Sequence, residues 1–205
     1  MITTAVLQKR ADQGDPEAQF RLGYRLAFGR NKPKPIPWDV IVSLWRAADR
    51  AGSLRAHFYL GVAHDYGWGV PKNHSIAARF YRIAAQNGDP VAQYNLALLL
   101  REGDGVRRSP RQSALWLKRS ARAGFADAQR DLGVAFFYGE GVRQDRKRAI
   151  SLYKRAARQG DALANYNLGL CYDHGTGVRK SSSMALKYFT AATLHGFRKA
   201  KKRLK

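Results

Sequence analysis

The residues of this chain that could carry catalysis are few, and their spacing suits other work. Only 15 Asp and Glu stand against 37 Lys and Arg. General acid–base chemistry needs a carboxylate or histidine within hydrogen-bond reach of the proton it moves. Here helix punctuation accounts for most of the acids. Asp15, Asp89 and Asp161 each precede a stretch of helical spacing, where a carboxylate accepts the free amides of the first turn. Asp15-Pro16 and Asp89-Pro90 add proline at the first helical position, where its missing amide hydrogen costs nothing. Asp39 and Asp145 sit near the starts of further helices, and Asp104 and Glu140 lie inside glycine loops. His57, His64, His74, His174 and His195 show no zinc-helix spacing such as H-E-x-x-H. His64 takes the position that Leu26, Leu100, Phe136 and Tyr172 fill elsewhere, so it is expected to pack. Cys171 is the lone cysteine, which excludes an intramolecular disulfide and gives no metal-ligand cluster. It has no basic neighbour to draw its thiol toward thiolate. Four G-x-G loops follow helices rather than strands, so they are not phosphate cradles. No enzymatic activity, metal site or cofactor is expected.

What positions these residues is a repeat. Ala-x-x-x-Leu-Gly recurs at Ala18/Leu22/Gly23, Ala56/Leu60/Gly61, Ala128/Leu132/Gly133 and Ala164/Leu168/Gly169, with Ala92/Leu96/Ala97 as a variant. Successive units are 36 residues apart, except for a first step of 38. G-x-G-V keeps the same beat at Gly67, Gly103, Gly139 and Gly175, and Gly52, Gly88, Gly124, Gly160 and Gly196 close the units. Fixed periods in this range mean stacked two-helix units. The first helix of each unit carries the Ala and Leu-Gly positions, and the G-x-G breaks it. The second helix alternates large and small residues on one face, as in Ala149/Tyr153/Ala156 and Ala185/Phe189/Ala192, which lets neighbouring helices interdigitate. Five full units span 15–52, 53–88, 89–124, 125–160 and 161–196, within one repeat domain. A half-unit at 1–14, with Leu7 and Ala11, reads as a second helix, and one at 197–205 reads as the start of another first helix. The first full unit replaces its glycine loop by Asn31–Trp38, whose three prolines stiffen an extended connector.

The combined pattern, A-x-x-x-L-G, then G-x-G-V, then A-x-x-x-Y-x-x-A-A-x-x-G, resembles the Sel-one-like repeat over about residues 5–204. That family is a relative of the tetratricopeptide repeat with a longer inter-helix loop. The resemblance implies an all-α fold, a right-handed α/α superhelical solenoid of five two-helix repeats with half-repeat caps. It also implies a concave groove lined by the first helices and a role as adaptor or scaffold for other proteins. Some members are secreted and pair cysteines within each unit, and a chain with Cys171 alone departs from them. The start, Met-Ile-Thr-Thr-Ala-Val-Leu, is too short an apolar run for a signal peptide, and no stretch approaches a membrane span. A cytoplasmic location is the expectation.

Two surfaces remain for binding. Aligned on the tetratricopeptide pattern, the groove would include Tyr24, Phe28, Tyr66, Leu98, Phe137, Tyr138 and His174. Beside them, the Phe20/Phe58/Tyr94/Tyr166 column is expected to pack between units. The second surface is basic and keeps the register of the repeat. Arg46, Arg82, Lys118 and Lys154 share one second-helix position, and Arg50, Arg122 and Arg158 share another. Arg107, Arg143 and Arg179 follow the loop valine, and a basic tail runs from Arg198 to Lys205. The net charge is +22, of which residues 103–205 carry +16. Such a field attracts an acidic partner. The expectation is a non-enzymatic module that binds a protein, acidic in character, in the groove. The alternative is a nucleic-acid binder whose basic columns neutralise phosphates without reading bases. Against it, no nucleic-acid recognition motif occurs, and no aromatic residues interleave with the columns for base stacking.

Overall fold

Each repeat folds as a helix pair because its marker residues start and stop helices locally. The structure, a computed structural model, describes residues 2–204. Among these residues are eleven α-helices and a terminal 3-10 helix, and no strand. The chain forms two compact units, Met1–Arg108 and Ser109–Lys205. Unit 1 holds α1 (Thr4–Asp12), α2 (Pro16–Phe28), α3 (Trp38–Arg50), α4 (Leu54–Tyr66), α5 (His74–Gln86) and α6 (Pro90–Glu102). Unit 2 holds α7 (Pro110–Arg122), α8 (Ala126–Tyr138), α9 (Arg146–Arg158), α10 (Ala162–His174) and α11 (Ser182–Leu194).

The caps fall where the acids anticipate them. Asp15, Asp89 and Asp161 accept the amides of Ala18, Ala92 and Ala164. Asn73, Ser109, Asp145 and Ser181 do the same for the second helices α5, α7, α9 and α11. Gly67, Gly103, Gly139 and Gly175 end the first helices in the left-handed conformation, with φ between 71° and 87°. Only glycine enters that region without steric cost.

The helices of a pair then approach closely at a second set of glycines. A Cβ on Gly133 would lie 2.6 Å from the Tyr153 ring, and one on Gly23 would lie 2.6 Å from the Trp45 indole nitrogen. Large side chains of the second helices therefore press directly on the first-helix backbone. Ile41, Trp45 and Ala48 bury this way with Ala56 and Leu60 in unit 1. Ala149, Tyr153 and Ala156 do so with Ala164 and Leu168 in unit 2.

One expectation about the ends needs correction. Where the register predicts the start of another first helix, Arg198–Arg203 form a 3-10 helix flanked by Phe197 and Leu204 rather than an α-helix. Ala200 still packs with Ala185, Phe189 and Ala192, as its register requires. Phe197, however, supplies no capping side chain, and five cations in six residues repel one another at helical spacing. A short 3-10 turn is what remains. Lys205, the last residue of the basic tail, lies outside the described residues.

Candidate binding clefts

In unit 1 a cleft of about 700 Å³ opens over α2, α4 and the start of α6. Phe20, Tyr24, Phe58 and Tyr59 wall it, Arg21, Arg25 and Arg55 flank it, and one carboxylate, Asp89, engaged as the cap of α6, lies at its edge. Tyr59 is the hub, with ring centroids of Phe20, Tyr24 and Phe28 at 5.7, 5.5 and 5.9 Å. Burial pushes its phenol up to about 12, so the hub is neutral. Phe28 extends the wall to Trp38 and Trp68, whose indoles stack at 4.8 Å. Tyr66 lies on Trp68 at 5.3 Å and is 65% exposed. Gly69 makes room for this arrangement, since a Cβ there would meet the Trp38 carbonyl at 2.7 Å. The flanking guanidiniums are partly engaged. Arg21 and Arg55 both reach Glu17, at 2.6 and 3.4 Å, and Arg25 donates to the Ile2 carbonyl and the Thr4 hydroxyl.

In unit 2 the structure brings Phe137, Tyr138 and His174 to one cleft of about 440 Å³ between α8 and α10, above Tyr153 and Cys171. Tyr138 and His174 are exposed and Phe137 is half-buried. Burial pushes the Cys171 thiol up to about 11, so it is protonated near neutral pH and unsuited to nucleophilic attack. Leu98 is half-buried on α6 and lines neither of these two clefts. His64 packs as expected, its ring stacked over Phe80 at 5.9 Å. Desolvation lowers its pKa and keeps it neutral.

The basic columns are exposed at Arg46, Arg82, Arg107, Lys118, Arg122, Arg143, Arg158 and Arg179, whereas Lys154 is half-buried. Lys118 and Arg143, from different columns, meet on one further cleft of unit 2. The guanidinium of Arg119 covers the Trp116 ring at 4.4 Å.

Sequence reasoning passed over a charge cluster in unit 2. The Phe20/Phe58/Tyr94/Tyr166 column is interrupted at the fourth of its five register positions by Arg130. Arg130 binds Asp127, Asp131 and Asp161 at 2.7, 2.8 and 2.8 Å. Burial alone would lower its pKa, but the carboxylates, Asp131 foremost, hold it above the ordinary arginine value. The interruption of the column was the available signal. Among the described residues, no group of three or more His, Cys, Asp or Glu could hold a metal ion, and no helix is long and apolar enough to cross a membrane.

The Sel1 repeat model matches residues 16–39, 54–89, 90–125, 126–161 and 162–197. The chain belongs to the Sel1 repeat family. Its fold is the all-α helix-pair repeat of that family, a typically non-enzymatic scaffold that generally mediates protein–protein interaction. Among solved structures it is similar to c5321, a protective antigen present in uropathogenic Escherichia coli strains, with a TM-score of 0.92 at 30% identity. That match covers 100% of this chain and 43% of c5321, so this chain spans under half the length of that relative. A Sel1 repeat protein from Oxalobacter formigenes gives a TM-score of 0.85 at 29% identity, over 94% of this chain and 76% of that one. Immunity protein Pa5087 from Pseudomonas aeruginosa gives 0.57 at 26% identity, over 90% of this chain and 67% of its own. No curated protein sequence matches the chain.

Proposed function

We propose that this Sel1 repeat protein holds a segment of an acidic partner protein in its first-helix clefts, above all in the aromatic cleft of unit 1. The observation that carries this reading is the wall of Tyr24, Phe28 and Tyr59, with Tyr24 43% and Phe28 39% exposed while their rings brace one another. Braced aromatic side chains offer large contact area with little rotamer entropy left to lose, which is the character of binding hot spots. Arg21, Arg25 and Arg55 beside the wall, and the net charge of +22, favour an acidic segment and speed its encounter. The similarity to immunity protein Pa5087 supports the narrower reading of a neutralising partner. Nucleic acid is the weaker reading, because Trp116 among the unit 2 cations is already covered by Arg119.

The test compares capture by immobilised wild-type protein and by Tyr24→Ala, at matched melting temperature and across a salt series. A specific partner should be lost about tenfold or more from the variant, the scale of a hot-spot truncation, and should weaken as salt rises. A partner held equally by both forms would overturn the reading. A nuclease-sensitive complex would replace it with the nucleic-acid alternative.

A further inference from the structure

The second helices of unit 2 carry a cleft of their own. It lies between α7 and α9, with α8 beneath and residues 141–144 closing one end, and encloses about 580 Å³. Ligand sites usually measure about 300–1,000 Å³. Four cations, Arg111, Lys118, Arg143 and Arg148, line it with one carboxylate, Asp145. That carboxylate is already committed. It accepts the Arg148 amide at 2.9 Å as the cap of α9 and pairs with the Arg148 side chain at 3.1 Å. Arg111, Lys118 and Arg143 are exposed, and among the described residues no carboxylate lies within ion-pair reach of them. Between these cations the lining is apolar apart from Gln144, whose amide already donates to the Phe137 carbonyl at 2.8 Å. Leu115 is 50% exposed, beside Leu132, Phe136 and Val142.

Three unpaired cations around an aliphatic patch select for a particular chemistry. A bare polyanion would engage the cations and leave Leu115 and Val142 uncovered. A nucleic acid would want an open ring for its bases, and the Arg148 guanidinium already lies 5.6 Å from the Phe136 centroid. An acidic peptide with an aliphatic side chain between its carboxylates satisfies both halves of the site. We propose that this cleft binds such a segment of a partner protein. The aliphatic side chain seats against Leu115 and Val142, and the carboxylates take Arg111, Lys118 and Arg143. Arginine suits the task because its planar fork meets a carboxylate with two parallel hydrogen bonds. No residue of this site belongs to the unit 1 cleft, so the two assignments stand or fall separately.

The probe is a fluorescein-labelled peptide, Glu-Asp-Leu-Asp-Glu, titrated with the whole protein at physiological salt and read by anisotropy. Replacing its leucine by glycine should weaken binding about tenfold, on the scale of burying one aliphatic side chain. Lys118→Ala and Arg143→Ala should each weaken it about two- to fivefold, the scale of an exposed ion pair. Leu115→Asp should abolish it while leaving the melting curve in place, since Leu115 is half-exposed. Tyr24→Ala should leave the peptide affinity unchanged, which separates this site from the unit 1 cleft. No binding, equal affinity for the leucine and glycine peptides, or indifference to Leu115→Asp would each overturn the proposal. So would tighter binding of an oligothymidine of equal charge that is weakened by the same Lys118 and Arg143 substitutions.

Discussion

The two units share one helix-pair scaffold and fill its variable positions with opposite chemistry. In unit 1 the loop after α4 holds Trp68 between its glycines, and Tyr59 ties the rings of two helices together. In unit 2 the corresponding loops hold Glu140 and Thr176, and the hub position holds Asp131 and Asn167. Charge divides the same way. Residues 1–108 carry 16 Lys and Arg against 9 Asp and Glu, whereas residues 109–205 carry 21 against 6. Three of those six acids converge on Arg130, and a fourth, Asp145, caps α9. The surface imbalance of unit 2 is therefore larger than its composition suggests. Four of its six acids are tied up in holding the fold, and cations such as Arg111, Lys118 and Arg143 have no carboxylate within ion-pair reach among the described residues. In unit 1 the rings hold one another and leave part of their faces open.

The comparison is most exposed to attack at Arg130. The Asp161 and Asp131 side chains are 7% and 11% exposed, so removing the guanidinium leaves like charges together in a poorly solvated site. Arg130→Ala should cost about 3–5 kcal/mol, as for other buried pairs that lose one partner, measured by urea unfolding. Arg130→Tyr combined with Asp131→Asn installs the residues that Tyr94-Asn95 and Tyr166-Asn167 carry at the same register. It should recover most of that loss. A cost under about 1 kcal/mol for Arg130→Ala, the level of an exposed pair, would show that unit 2 does not depend on this cluster.

Two smaller effects separate the shared scaffold from what distinguishes the units. Gly23→Ala and Gly133→Ala each drive a Cβ to 2.6 Å from a large ring, and each should cost about 1–3 kcal/mol of overpacking. Similar losses would confirm a common scaffold, and a penalty in only one unit would break that view. Trp68→Asp gives the unit 1 loop the residue found at Asp104 and removes contacts to Phe28, Trp38 and Tyr66. It should cost at least about 1.5 kcal/mol, since each of the three aromatic pairs contributes about 0.5–1.5 kcal/mol beyond its buried area. It should also weaken partner capture by unit 1. Unchanged capture would detach the aromatic wall from binding.

Much of the fold is legible in the sequence because its signals are local. Asp89-Pro90 announces a helix start and Gly103 a helix stop without reference to the rest of the chain. The tail misled because Ala200 keeps its register while Phe197 and the clustered cations withdraw the local support for an α-helix. The clefts were harder to read. Tyr59 and Arg130 are visible in the sequence as breaks in register, but their importance comes from which side chains meet across helices. Lys154 shares its column with three exposed cations and is still half-buried, so register alone does not set exposure.

The smallest effect gives the sharpest comparison, because it holds register constant. Phe28, Tyr66, Tyr138 and His174 occupy the same position at the ends of four of the five first helices, and Glu102 fills it in α6. Phe28 is braced by the rings of Tyr24, Trp38, Tyr59 and Trp68. Tyr138 is 65% exposed and meets the Phe137 ring at 5.0 Å. Phe28→Ala should therefore lower both stability and partner affinity, since the wall loses a member that its neighbours lean on. Tyr138→Ala should change stability by no more than about 0.5 kcal/mol, the usual range for an exposed substitution. If the unit 2 cleft contributes to partner binding, Tyr138→Ala should still weaken it. A thermal scan and a binding titration on the same two variants decide the matter. Stability lost at Tyr138 would show that this position braces its neighbours in both units, and that the contrast between a braced wall in unit 1 and an open one in unit 2 is wrong.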